Sequence, residues 1–136
     1  MPSRDGCSKS WTVPDRPFSR ALADAVDGVA SALRGQRNFR TQIVIGALAV
    51  LAAAVLRFDE IRWSILVVAI GMVLGAELFN TSLERAVDNA SADESEAARA
   101  AKHAGAGAVL VASITAAVIG CVLFGTALWS RVHGAR

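Results

Sequence analysis

Glu77, Asn80, Glu84 and Asp88 are spaced three, four and four residues apart. At about 100° per residue these positions share one arc of about 80° on a helix. Three carboxylates and an amide on one stripe are suited to two tasks. A carboxylate within reach of an alcohol can take its proton. Acids that repel one another can also share a hard divalent cation, and Mg²⁺ characteristically fills the rest of its shell with water and phosphate oxygens. Lys102 follows Asp88 by fourteen residues. If its helix runs antiparallel, Lys102 returns to the level of Glu84 and Asp88, either as a salt-bridge partner or to neutralise phosphate. Phosphoryl transfer needs little beyond such positioning and charge neutralisation. The usual nucleotide signatures are absent: the chain has no G-x-x-x-x-G-K-[ST], no H-R-D and no D-F-G. Gly105-Ala-Gly107 lacks a third glycine and a preceding strand, and reads as a helix-packing element.

The elements that carry the stripe follow from composition. Of 136 residues, 54% are hydrophobic and 19% charged, where about 25% charged is usual for a soluble domain. No charge occurs in 41–56, 63–76 or 104–130. Helices rise about 1.5 Å per residue and must cross about 30 Å of hydrocarbon. With flanking residues, the expected spans are 41–57, 62–83 and 104–129. Glu77 then lies near hydrocarbon depth, where an acid is costly and marks function. Arg4, Lys9, Arg16, Arg20, Arg34, Arg37, Arg40, Arg85, Arg99 and Lys102 fall on one side. Arg57, Arg62, Arg131 and Arg136 fall on the other. The excess places the N-terminus in the cytoplasm and the C-terminus outside. Residues 1–20 lack the apolar segment of a cleavable signal peptide.

Residues 1–14 read as a loose tail, and 15–136 as a single membrane domain. A surface helix is expected over 15–34, opened by Asp15 and Pro17. Phe18, Ala21, Leu22, Ala25, Val26, Val29 and Leu33 form one apolar stripe along it. Such a helix, directly before a span, should lie in the membrane interface. Gly35 is expected to break it. Arg57, Asp59, Glu60 and Arg62 make a charged turn, and Trp63 and Trp129 are interfacial aromatics. Ser91-Ala-Asp-Glu94 forms a capping box from which the last helix should start. Ala104, Ala108, Ala112, Ala116 and Gly120 form a small-residue ridge for close helix packing. The expected fold is therefore all-α, with no strand and no internal repeat. Cys7 and Cys121 read as unpaired thiols. A net charge of +2, with no stacking surface among the basic residues, gives no reason to expect nucleic acid.

Glu77-Leu-Phe-Asn80-Thr-Ser-Leu-Glu84-Arg-Ala-Val-Asp88 resembles the signature of the small prokaryotic diacylglycerol kinases, a family that includes undecaprenol kinases. The resemblance runs from about Phe18 to Trp129. It includes Arg37-Asn38-Phe39-Arg40 and Lys102 with its Ala/Gly-rich continuation. It implies a homotrimer of three-span chains in the bacterial inner membrane, binding ATP and Mg²⁺ on the cytoplasmic side and phosphorylating a lipid hydroxyl. By the same resemblance Glu77 is the general base and Glu84 a metal ligand. Gln36 occupies the second metal position, Asn80, Glu84, Asp88, Lys102 and His103 serve ATP, and Asn38 and Arg40 the lipid. Diacylglycerol is the first substrate expected and undecaprenol the alternative, since Arg37–Arg40 and Asn80-Thr81 look more like that branch. Two positions depart from the family pattern. Gln36 stands where a second metal-ligating Glu is usual, and His103 where Asp commonly follows the Lys. These departures keep a catalytically weakened member, with an assembly or regulatory role, as the other reading.

Overall fold

The computed structural model describes residues 17–90 and 95–134, and its regular elements are α-helices: α1 (Phe18–Gly35), α2 (Arg37–Val55), α3 (Glu60–Ala90) and α4 (Glu96–His133). The expected tail, Asp15 and Cys7 lie outside the described residues. Helix α1 begins at Phe18, because Pro17 is extended (φ −60°, ψ 141°) while its carbonyl accepts from Arg20 N and Ala21 N. Gly35 ends the helix, as expected. The chain turns at Gln36 alone (φ −109°, ψ 116°). Gln36 closes one helix and opens the next: its N–H donates to Ala32 O at 2.8 Å, and its carbonyl accepts from Arg40 N at 3.3 Å.

Helix α2 stops at Val55, earlier than the expected span, and none of its last four carbonyls is left unpaired. Ala52, Ala53 and Ala54 accept from the N–H groups of Leu56, Phe58 and Arg57, and Val55 accepts from Arg131 Nη2 at 2.8 Å. Arg57 makes the reversal with φ 50°, a left-handed conformation that costs a non-glycine residue about 1–2 kcal/mol. The turn folds Phe58 under the bundle, where its ring meets Phe124 at 5.0 Å and Trp63 at 6.3 Å. Asp59 Oδ1 then accepts from Arg62 N at 2.9 Å and caps α3. At the start of α4 the cap is Ser95, whose Oγ accepts from Ala98 N at 3.1 Å. The expected capping box at 91–94 lies outside the described residues, and the helix starts later than that motif suggested.

Helices α3 and α4 pack along one another, and α2 leans on α3. The apolar core gathers at the turn end: Ala53, Phe58, Leu66, Leu123 and Ala127. The expected ridge on α4 is only partly the contact face. Ala112 is buried and Ala116 and Gly120 are half-buried, but Ala104 and Ala108 are exposed. Every-fourth steps drift about 40° each around a helix, so the ridge winds away. Gly105 and Ala112, seven apart, take the contact instead. Outward faces are apolar, as at Leu48, Leu51, Val67, Val68, Val118 and Val122. Three helices, α2, α3 and α4, are long and apolar enough to cross a membrane.

Candidate functional site

The polar stripe of α3 is graded in burial. Glu77 is 4% exposed and Asn80 8%, Glu84 is half-buried, and Asp88 is exposed. Each of its ionisable or amide groups is met by a definite partner. Gln42 Nε2, from α2, donates to Glu77 Oε2 at 3.3 Å. Asn80 Nδ2 donates to Glu84 Oε1 at 3.0 Å, across one turn of the same helix. Lys102 Nζ, from α4, pairs with Asp88 Oδ1 at 2.5 Å. So α2 fixes the innermost acid, α3 orients its own middle acid, and α4 reaches the outermost.

The two amides share a pattern. Each turns its nitrogen toward a carboxylate, since its oxygen would be repelled there. Each leaves its oxygen, Gln42 Oε1 or Asn80 Oδ1, buried without a partner among the described residues, at a cost of about 1–3 kcal/mol for each such group. Gly105 makes room for one of them: a Cβ at that position would overlap Asn80 Oδ1. Gln42 also lines a mainly apolar cleft of about 290 Å³ between α2, α3 and α4, together with Gly46, Ile70, Ala116 and Gly120. Glu77 is thus held at the same amide that faces an apolar cleft.

Sequence reasoning brought Glu77, Asn80, Glu84, Asp88 and Lys102 to one face, and the structure places them there. It missed Gln42. The available signal was an amide at the start of an otherwise apolar run. The other expected positions are less engaged. Gln36 sits half-buried at the α1–α2 joint, beside Gly35, which faces the Arg85 guanidinium. Arg85 Nη1 donates to Ser31 Oγ at 3.1 Å, drawing that joint toward the stretch of α3 that carries Glu84. No hydrogen bond joins Gln36 to Glu84. Asn38, Arg40 and His103 are exposed, and Arg40 Nη1 donates to Arg34 O at 3.2 Å.

No three His, Cys, Asp or Glu side chains converge as a metal cage among the described residues. Mg²⁺ does not require one, because one or two carboxylates plus phosphate oxygens suffice. Glu84 fits that role, since only Oε1 is engaged and Oε2 has no partner among the described residues.

The model of the family described as prokaryotic diacylglycerol kinase matches residues 23–124. The chain belongs to the prokaryotic diacylglycerol kinase family. It is therefore related to membrane lipid kinases, and its three apolar helices agree with that setting. It is similar to the undecaprenol kinase of Bacillus subtilis, 30% identical over 79% of this chain and 87% of that protein. It is 33% identical to the diacylglycerol kinase of Escherichia coli, over 76% of this chain and 82% of that one. With the diacylglycerol kinase of Synechocystis it is 39% identical over 71% of this chain, and the match spans 56% of that relative's length. Both substrate names occur among its relatives, and the matched region contains the whole polar stripe.

Proposed function

We propose that this chain is a lipid kinase of the inner membrane that transfers the terminal phosphoryl group of ATP to the hydroxyl of a membrane lipid alcohol, foremost diacylglycerol. The observation that carries this reading is the buried Glu77 carboxylate, held by Gln42 beside an apolar cleft and continuous with a polar stripe reaching α4. Glu77 acts as general base on the alcohol. Gln42 fixes the carboxylate's orientation through its Nε2 donor. Glu84, oriented by Asn80, would hold Mg²⁺ together with Gln36, and the ion would supply charge neutralisation for the phosphates. Lys102 leaves Asp88 for the ATP phosphates, with His103 beside it. Asn38 and Arg40, exposed at the start of α2, face the lipid. The N-terminus is cytoplasmic, the C-terminus external, and the working unit is a homotrimer. Phe18, Leu22, Val26 and Leu33 remain exposed on α1, which supports α1 as an amphipathic helix lying in the membrane interface.

Undecaprenol is the alternative acceptor, favoured by the extent of the match to the Bacillus subtilis relative. The test is label transfer from radiolabelled ATP, using purified protein and a panel of lipid alcohols. Label in diacylglycerol above undecaprenol supports the first reading, and the reverse order supports the second. No label in any lipid alcohol, from folded protein, overturns both and favours the weakened-member reading suggested by Gln36 and His103.

A further inference from the structure

At the end of the bundle opposite the polar stripe, Arg57, Arg62 and Arg131 line one open depression with Ser130. The acids nearest in sequence are Asp59 and Glu60, neither of which lines it. Asp59 is committed to capping α3 and touches Arg62 only at 3.4 Å. Arg131 spends one N–H on Val55 O. Arg57 has no hydrogen-bond or ion-pair partner among the described residues, yet it occupies the left-handed conformation that glycine or asparagine would adopt with less strain. A tight turn alone does not call for arginine at that position. Strained backbone of this kind concentrates where a ligand is held.

The depression also has a definite depth. It lies where α2 ends, α3 begins and the apolar part of α4 gives way to Ser130 and Arg131. That is the boundary at which hydrocarbon meets lipid headgroups. Guanidinium groups suit planar, multi-bond recognition of phosphate oxygens. We infer that this depression binds the phosphate of an anionic phospholipid headgroup, at a site separate from the one that performs phosphoryl transfer.

The test uses the full chain in nanodiscs of phosphatidylcholine, with and without phosphatidylglycerol, and counts retained lipids by native mass spectrometry. Inorganic phosphate alone forms a parallel arm. Wild type should retain phosphatidylglycerol over phosphatidylcholine, and each arginine removed should lower that preference about threefold, as for partly exposed ion pairs. Arg57→Asn tolerates the left-handed backbone, and Arg62→Gln leaves the Asp59 cap to the Arg62 N–H. The double variant should lose most of the preference. Arg57→Lys, which restores charge at the same position, should keep it in part. Arg99→Gln, at the other end of the bundle, should change nothing. Three results overturn the inference: equal retention of both lipids by wild type, unchanged preference in the double variant, or binding of inorganic phosphate without any lipid preference.

Discussion

The two ends of the helix bundle are held by different forces. At the turn end, Phe58, Trp63 and Phe124 pack ring against ring over Ala53 and Ala127, and the last carbonyls of α2 are all paired. At the polar end, Glu77, Asn80 and Thr81 are buried, and two amide oxygens have no partner among the described residues. The first end is optimised for packing. The second retains unpaired polar groups that a purely structural helix crossing would have replaced with apolar ones. Unpaired buried acceptors are tolerated where a ligand is to complete them.

Glu77→Gln should break the polar end most sharply. Turnover should fall roughly 10²–10⁴-fold, the usual range for a lost general base, while the melting temperature stays near wild type. Near-normal phosphorylation of lipid by this variant would remove Glu77 from the chemistry. Gln42→Leu should slow turnover by roughly tenfold and raise the lipid Michaelis constant, since it strips both the donor to Glu77 and the orphan carbonyl. In a Glu77→Gln background the same change should add little, because the interaction is already broken. Equal losses in both backgrounds would make Gln42 a packing residue only.

Phe58→Ala probes the opposite end. Phe58 is buried in the core at this end, so a loss of about 3–5 kcal/mol is expected, the usual Phe→Ala range. Specific activity of the protein that remains folded should be unchanged, and thermal unfolding measured beside turnover checks both. Glu84→Ala should raise the Mg²⁺ requirement and Gln36→Glu should lower it. An unaltered Mg²⁺ titration in Gln36→Glu would separate Gln36 from the ion. Lys102→Ala gives the smallest structural effect, because a half-exposed ion pair such as Lys102–Asp88 is worth about 0–1 kcal/mol. A higher ATP Michaelis constant at nearly constant melting temperature supports phosphate contact. The converse leaves only the salt bridge.

The helices and the stripe were legible in the sequence because uninterrupted apolar runs and regular polar spacing are one-dimensional signals. The α3 stripe needed only helical periodicity. Other features needed three dimensions. Gln42 became informative once α2 leaned on α3, and Gly105 once Asn80 was packed beneath it. The sequence did not show that Ala104 and Ala108 lie off the face that α4 turns to its neighbours in the chain, because regular spacing on one helix does not say which arc the neighbour occupies. The break expected at Gly35 is where α1 ends, and what the sequence did not show is that one extended residue, Gln36, completes the turn into α2.

Helix α3 also works as a ruler. From Glu77 to Glu84 is a climb of about 10 Å, and from Glu84 to Asp88 about 6 Å more. Lys102 meets α3 at the top of that climb, while Glu77 stays at the bottom, buried beside the cleft. On the proposed reading, a nucleotide gripped at Lys102 cannot lie flat on the membrane. Its phosphate chain must point down the helix, base outward and terminal phosphorus inward, to meet a hydroxyl that never leaves the lipid layer. The depth to which the alcohol group settles would then set which lipids are phosphorylated. Alcohols with the same chains but a longer polar neck should be poorer acceptors, because they float above the reacting level.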